Sequence, residues 1–281
     1  MSKLFMSGFW YHVLKRFYHN RLAMASLFTL IVLILMCILV PIFSHHDYSA
    51  THFKDSLMPP NTHFWFGTDD LGRDLWVRCF IGGRMTFQIA LAASSVVLLI
   101  GVIYGATAGF LGGSVDNGMM RLVDVLYGIP FLFFCILLLT LFGQSTWVSF
   151  LAIAALAWLD MSRVVRGQTL HLKQLEFVKA AKISGLTRWQ IIRRHIIPNL
   201  MGIVIIYSAL TIPSMITVSA VLSFFGLGVS EPMTSWGLLI NDGIQNLYAW
   251  WLLLFPASLM TLTLLSFAFI ANALRDALDP R

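Results

Sequence analysis

The residues with most scope for chemistry form one island, Glu176 to Asn199, EFVKAAKISGLTRWQIIRRHIIPN, polar and strongly basic within an otherwise apolar sequence. Its chemistry is that of a contact surface: lysines and arginines for anionic lipid or an acidic partner, and small side chains for close approach. Phe177, Ala180, Ala181 and Ser184 recur at i, i+3, i+4 and i+7, which on a helix makes one mostly small face, with Lys179 and Lys182 pointing elsewhere. Gly185 supplies the helix stop. Thr187 and Gln190 form a T-x-x-Q capping box, and Leu186 and Ile191 stand at the staple positions, so a second helix starts at once. Pro198 falls near the first turn of the next apolar run, where its missing N–H matters little. The spacing predicts a helix–Gly–helix elbow. Two readings of it stand open: an amphipathic pair lying flat on the inner leaflet, or a docking surface for a protein. The small face favours docking, because lipid contact normally uses larger side chains.

Other candidates read more plainly. Arg121 with Asp124, and Asp160 with Arg163, stand at i, i+3 in or near apolar runs. Intramembrane charge is functional by default, but a position near the inner helix ends makes these structural pairs. His45, His46, Asp47 and His52 suggest a nickel or zinc site, yet adjacent histidines seldom orient on one metal, and a solvated loop explains them. Cys37 and Cys135 lie inside apolar runs and Cys79 in an outer loop, without a CxxC pair or disulfide framework. No Gly is followed by Lys, so there is no P-loop, and neither HExxH nor GxSxG occurs. No catalytic, metal or cofactor residue is expected, and any ATP hydrolysis belongs to a partner. The Phe131, Phe133 and Phe134 run reads as packing or lipid-facing surface.

These residues are carried by membrane helices. The chain has 281 residues, 58% hydrophobic and 11% charged, far too apolar for an ordinary soluble domain. A span needs about 20 apolar helical residues for a core of about 30 Å, and six runs qualify: Leu22–Phe43, Thr86–Leu111, Met119–Leu141, Trp147–Trp158 with extension towards Val165, Ile197–Phe224 and Tyr248–Ala271. Pro130, Pro213 and Pro256 are positions where spans three, five and six could break. With the amino terminus inside, 15 of the 19 lysines and arginines fall on inner segments and 4 on outer ones, which predicts that both termini are cytoplasmic. The net charge of +6 is then a membrane feature and calls for no nucleic acid. The first outer loop, about Ser44 to Arg84, is expected to hold a short surface helix, with Asp69, Asp70 and Asp74 paired to Arg73, Arg78 and Arg84 rather than to a cation. The second, Gly226 to Leu247, reads as a packed, non-helical cap, or as a docking surface for an external partner. Gly226, Gly228 and Gly237 there permit left-handed geometry or close approach, and Trp236 suits the water–lipid boundary.

The island resembles the EAA loop of binding-protein-dependent ABC importer permeases, whose pattern is E-A-A, three residues, Gly, nine residues, I-x-L-P. The matching positions are Lys179, Ala180, Ala181, Gly185, His195, Ile197 and Pro198. The spacing, both alanines, the glycine and the proline agree; Lys179 stands in place of the Glu, and Glu176, one turn earlier, is its candidate substitute. FGTDDLGRDLWVR (Phe66–Arg78), MRLVDVLYGIP (Met120–Pro130), LSFFGLGV and PMTSWG (from Leu222 past Trp236), NDG (Asn241–Gly243) and LRDALDP (Leu274–Pro280) look like landmarks of the C-type subunits of dipeptide, oligopeptide and nickel importers.

The resemblance implies an all-α polytopic bundle of six transmembrane helices with the type I ABC importer fold. Residues 1–83 would hold the amino-terminal segment, first helix and outer loop, and 84–281 the importer core with a coupling loop at about 167–198. Glu176, Lys179, Ala180, Ala181, Gly185 and Pro198 would contact a cytoplasmic ABC ATPase. Gly226, Gly228 and Trp236 would serve the gate or the extracytoplasmic solute-binding protein. The remaining partners would be a second homologous permease and the lipid of the inner (plasma) membrane. ATP would be bound by the partner subunits. Peptide uptake is the implied function, nickel or another small solute the alternative, and a secondary transporter the more distant one; the latter would be expected to show deep ionisable residues or broken helices.

Overall fold

The computed structural model describes residues 11–278 apart from 12, 45, 144 and 230. His45 and the final Asp279 and Pro280 of the LRDALDP segment therefore lie outside the described residues. Residues 13–19 are helical and lead into α1 (Arg21–Phe43), whose start is set by Asn20: its side chain accepts the N–H groups of Leu22 and Ala23. Ala23, Ser26, Leu30, Leu33 and Cys37 are the buried residues of α1. Their alternating spacing of three and four is one narrow stripe, so most of α1 is left to lipid.

Helix α2 (Leu75–Leu111) is capped by Asp74, which accepts the Trp76 N–H, and ends at Gly112 with φ +68°. Its 37 residues extend about 55 Å at 1.5 Å each, well beyond the hydrocarbon core. The expected short outer helix is thus the first turns of this span. Cys79, expected in a loop, lies within α2 and is buried.

The third expected span, Met119–Leu141, is not one helix. It is split into α3 (Gly113–Tyr127) and α4 (Phe131–Phe142), bent by 77° across Gly128, Ile129 and Pro130. Pro130 supplies no N–H, so the ladder stops there. By contrast Pro213 and Pro256 sit inside unbroken helices. α5 (Thr146–Leu172) is longer than expected, α6 (Glu176–Ile183) is the first arm of the elbow, and α7 (Arg188–Phe224) joins the second arm to a span without interruption. α8 (Trp236–Gln245) and α9 (Trp250–Leu278) complete the chain. Five single helices are long and apolar enough to cross a membrane, and the bent pair makes six.

The centre of the bundle is the α2–α5 seam. Gly101, Gly105 and Gly109 face α5. A Cβ on Gly101 would lie 2.6 Å from Met161 Cβ, one on Gly109 2.8 Å from the Arg166 carbonyl oxygen, and one on Gly105 would strike the Ser162 carbonyl oxygen. Lipid tails are as apolar as Leu, so helices in a bilayer gain by close backbone approach rather than by escape from water. The G-x3-G-x3-G spacing is visible in the sequence and is the signal that identifies this face. Towards the carboxyl-terminal ends of α2 and α5, Arg166 binds Asp116 of α3 through two bonds of 2.6 and 2.7 Å, a fork that sets α3 against α5.

Candidate functional site

The elbow is built as its residues direct. Lys173, just past α5, donates to the Gly109 carbonyl at 2.8 Å, anchoring the start of the island to α2. α6 then buries Val178 and Ala181, which corrects the single small face expected from Phe177, Ala180, Ala181 and Ser184. Ala181 turns inward, while Phe177, Ala180 and Ser184 stay exposed. The outward surface also carries Ile183, 88% exposed, and Trp189, 53% exposed. Lys179 and Glu176 bind each other at 2.8 Å, both exposed, so the charge at Lys179 is partly neutralised on its own helix.

Gly185 has φ +78°, the left-handed geometry that favours glycine at a helix stop. Thr187 and Gln190 make both bonds of the capping box. The helix widens to π geometry over Ile192–Ile196 immediately before Pro198, a local adjustment where a proline cannot donate to the ladder. Ile191, Ile192 and Ile196 are buried, while Arg193 and Arg194 are exposed. Glu176, Lys179, Ala180, Ala181, Gly185 and Pro198 thus form one structure at one end of α7. Gly226, Gly228 and Trp236 lie beyond its other end, about 55 Å of helix away.

That far end is a packed cap, though not a non-helical one, since it contains α8. Trp236 is fully buried, not at the lipid boundary: its indole N–H donates to the Cys79 carbonyl at 2.9 Å and its backbone N–H to Thr86 Oγ1 at 3.2 Å. Gly226 has φ +72°, and Gly228 and Gly237 lie hard against Ser223 and Ala220. The acidic cluster of the first loop is paired only in part as expected. Asp69 meets Arg73 at 2.6 Å and Arg78 at 3.2 Å, whereas Asp74 turns to His46 at 2.6 Å and Arg73 also reaches Glu231 of the second loop at 3.0 Å.

Burial pushes the Asp242 carboxyl up to about 6 against the pull of Arg78, and Asp70 adds to the rise. The folded cap therefore favours protonated Asp242. Its contribution to stability is complete below the ordinary carboxylate value and is lost as pH rises through about 6. Asp242→Asn is expected to flatten that decline, read as the melting temperature of purified protein across roughly pH 4 to 7.

A third polar group lies at the α3–α4 break. The pairs expected within each helix are exchanged between helices: Arg163 binds Asp124 at 2.7 Å, and Asp160 accepts the Tyr127 hydroxyl at 2.6 Å. The Arg163 guanidinium also lies 4.2 Å from the centre of the Tyr127 ring. Asp160 lies 14 residues from the start of α5 and 12 from its end, because α5 continues to Leu172 beyond the expected span. No sequence signal specified this exchange.

A six-span helical bundle with an elbow running into one span is the architecture of a membrane permease. Residues 85–281 match the family model described as binding-protein-dependent transport system inner membrane component, and residues 8–60 match the N-terminal TM domain of oligopeptide transport permease C. The chain belongs to the binding-protein-dependent transport permease family. It is 46% identical to the oligopeptide transport system permease protein OppC of Haemophilus influenzae over 97% of this chain and 88% of that one. Identity to the Escherichia coli K12 OppC is 47%, over 97% and 91%, and to the Bacillus subtilis dipeptide permease DppC 41%, over 95% and 84%. In fold it is similar to a chain of the inward-facing methionine ABC transporter MetNI, with TM-score 0.59 and 14% identity, over 70% of this chain and 94% of that one.

Proposed function

We propose that this chain is one of two homologous permease subunits of an ATP-driven peptide importer, placed in the inner (plasma) membrane with both termini in the cytoplasm. The observation that carries the reading is the elbow. α6 presents Phe177 and Ile183 outward, Gly185 reverses the chain, and α7 continues unbroken from Arg188 to Phe224. A cytoplasmic ATPase that grips α6 moves a lever whose far end is the outer cap, so displacement below the membrane becomes tilt within it. With Lys179 engaged by Glu176, the grip rests on these apolar side chains and on the close approach at Ala180. ATP is bound and hydrolysed by the partner subunits, and this chain has no nucleotide site of its own. The cap around Gly226, Gly228 and Trp236 faces an extracytoplasmic solute-binding protein, α1 meets lipid, and the division between residues 1–83 and the 84–281 core falls inside the continuous α2.

Peptides are favoured as cargo by the oligopeptide and dipeptide permeases among the relatives. The test is reconstitution of the co-purified complex in proteoliposomes with its binding protein. ATP-dependent uptake of labelled di- and oligopeptides is expected. Uptake of nickel in place of peptides, or transport by this chain without an ATPase, would overturn the reading.

A further inference from the structure

The polar group at the α3–α4 break lies partly on α5, a helix long and apolar enough to cross a membrane. Asp160 is 14 residues from Thr146 and 12 from Leu172, roughly 20 Å from either end of α5. Yet the Asp124 and Arg163 side chains are 67% and 42% exposed on this chain. Charged groups within such a span face a bundle interior, a water-filled path or a partner helix, because lipid solvates them poorly. This surface is therefore turned away from lipid.

Beside it lies a recess of about 420 Å³ between α3, α4, α5 and α7, bordered by Tyr127, Pro130, Phe131, Asp160, Ser214 and Met215. That volume is within the range of small-molecule sites, roughly 300–1,000 Å³. Among the described lining residues Asp160 is the one carboxylate, set in walls that are mostly apolar. The hydrogen bond it accepts among the described residues comes from Tyr127 to Oδ1, which leaves Oδ2 for a ligand. The neighbouring cation, Arg163, is already engaged by Asp124 and by the Tyr127 ring. One carboxylate with hydroxyls and apolar walls suits an organic ammonium; a bare divalent ion asks for a fuller oxygen shell.

We propose that Asp160 holds the amino-terminal ammonium of the peptide in transit, with Tyr127 orienting the carboxylate and Phe131 and Met215 against the first side chain. This rests on the peptide-importer reading. The test uses the complete complex, with ATPases and binding protein, in proteoliposomes. Asp160→Asn is expected to lower uptake of a dipeptide with a free amino terminus about tenfold, the scale of one lost charge-assisted bond. ATP hydrolysis stimulated by the loaded binding protein should persist, and Asp160→Glu should restore most uptake. Unimpaired uptake by Asp160→Asn, or loss of assembly or of stimulated hydrolysis together with uptake, overturns the site while leaving the importer reading in place. A wild-type complex that moves no peptide overturns both.

Discussion

Gly185→Trp is expected to abolish ATP-driven uptake while the chain remains folded in the membrane and at its normal level there. The backbone at Gly185 has φ +78°, a geometry that disfavours an L-residue by about 1–2 kcal/mol. That is small beside the roughly 5–15 kcal/mol that holds a typical domain together. A Cβ at this position meets nothing within 4 Å, so even a large side chain has room within this chain. Any loss of coupling therefore reports a surface belonging to another subunit. Gly185→Ala separates the two effects: it carries the same backbone strain with almost no bulk and should retain most transport. The measurements are uptake, ATPase activity, and co-purification of the ATPase with each variant. Full transport by Gly185→Trp would mean that the tip of the elbow does not sit against the ATPase.

The opposite pattern is expected at the α2–α5 seam. Gly105→Leu should remove folded protein altogether. A Cβ at Gly105 strikes the Ser162 carbonyl oxygen and lies 2.9 Å from Val165 Cβ and 3.0 Å from the Arg166 backbone nitrogen. Two of these three neighbours are main-chain atoms of a helix and cannot swing aside, so α5 must move bodily. The displacement propagates along the seam to Gly101 and Gly109 and pulls on the Arg166–Asp116 fork. Overpacking of a well-packed core costs about 1–3 kcal/mol where side chains can adjust, and this site gives little room to adjust. Size-exclusion profiles of detergent-solubilised protein should show aggregate in place of a single peak. Gly118→Leu is the control, because a Cβ there meets nothing within 4 Å. A monodisperse Gly105→Leu protein would show that the seam is looser than its geometry indicates.

These two glycines also mark how far the sequence can be read. Gly185 was identifiable because its role is local: a helix stop followed at once by the Thr187–Gln190 box needs only neighbouring residues. The spans were readable for a similar reason, since bilayer thickness imposes one length on every crossing. Gly105 was missed although the spacing of Gly101, Gly105 and Gly109 was in plain view, because spacing does not say which helix lies opposite. The same limit governed the polar groups. Asp124 had Arg121 one turn away, but α5 presents Arg163 to it at 2.7 Å, and only the rotation of packed helices decides between a local partner and a distant one.

Proline shows the distinction in its sharpest form. Pro130, Pro213 and Pro256 are alike in sequence, yet the chain bends at the first and continues through the other two. At Pro130 the preceding Gly128 already closes α3 by donating to Asp124 and Val125. Trp236 likewise moved from an expected lipid boundary to full burial, because α8 folds against the amino-terminal part of α2. From the sequence alone came the membrane class, the span count, the charge asymmetry and the elbow, all set by bilayer thickness and by bonds between near neighbours. The tertiary structure alone decided where the third span breaks, which charges meet at that break, and that Asp160 opens on a recess, because those outcomes depend on how separate helices turn against one another.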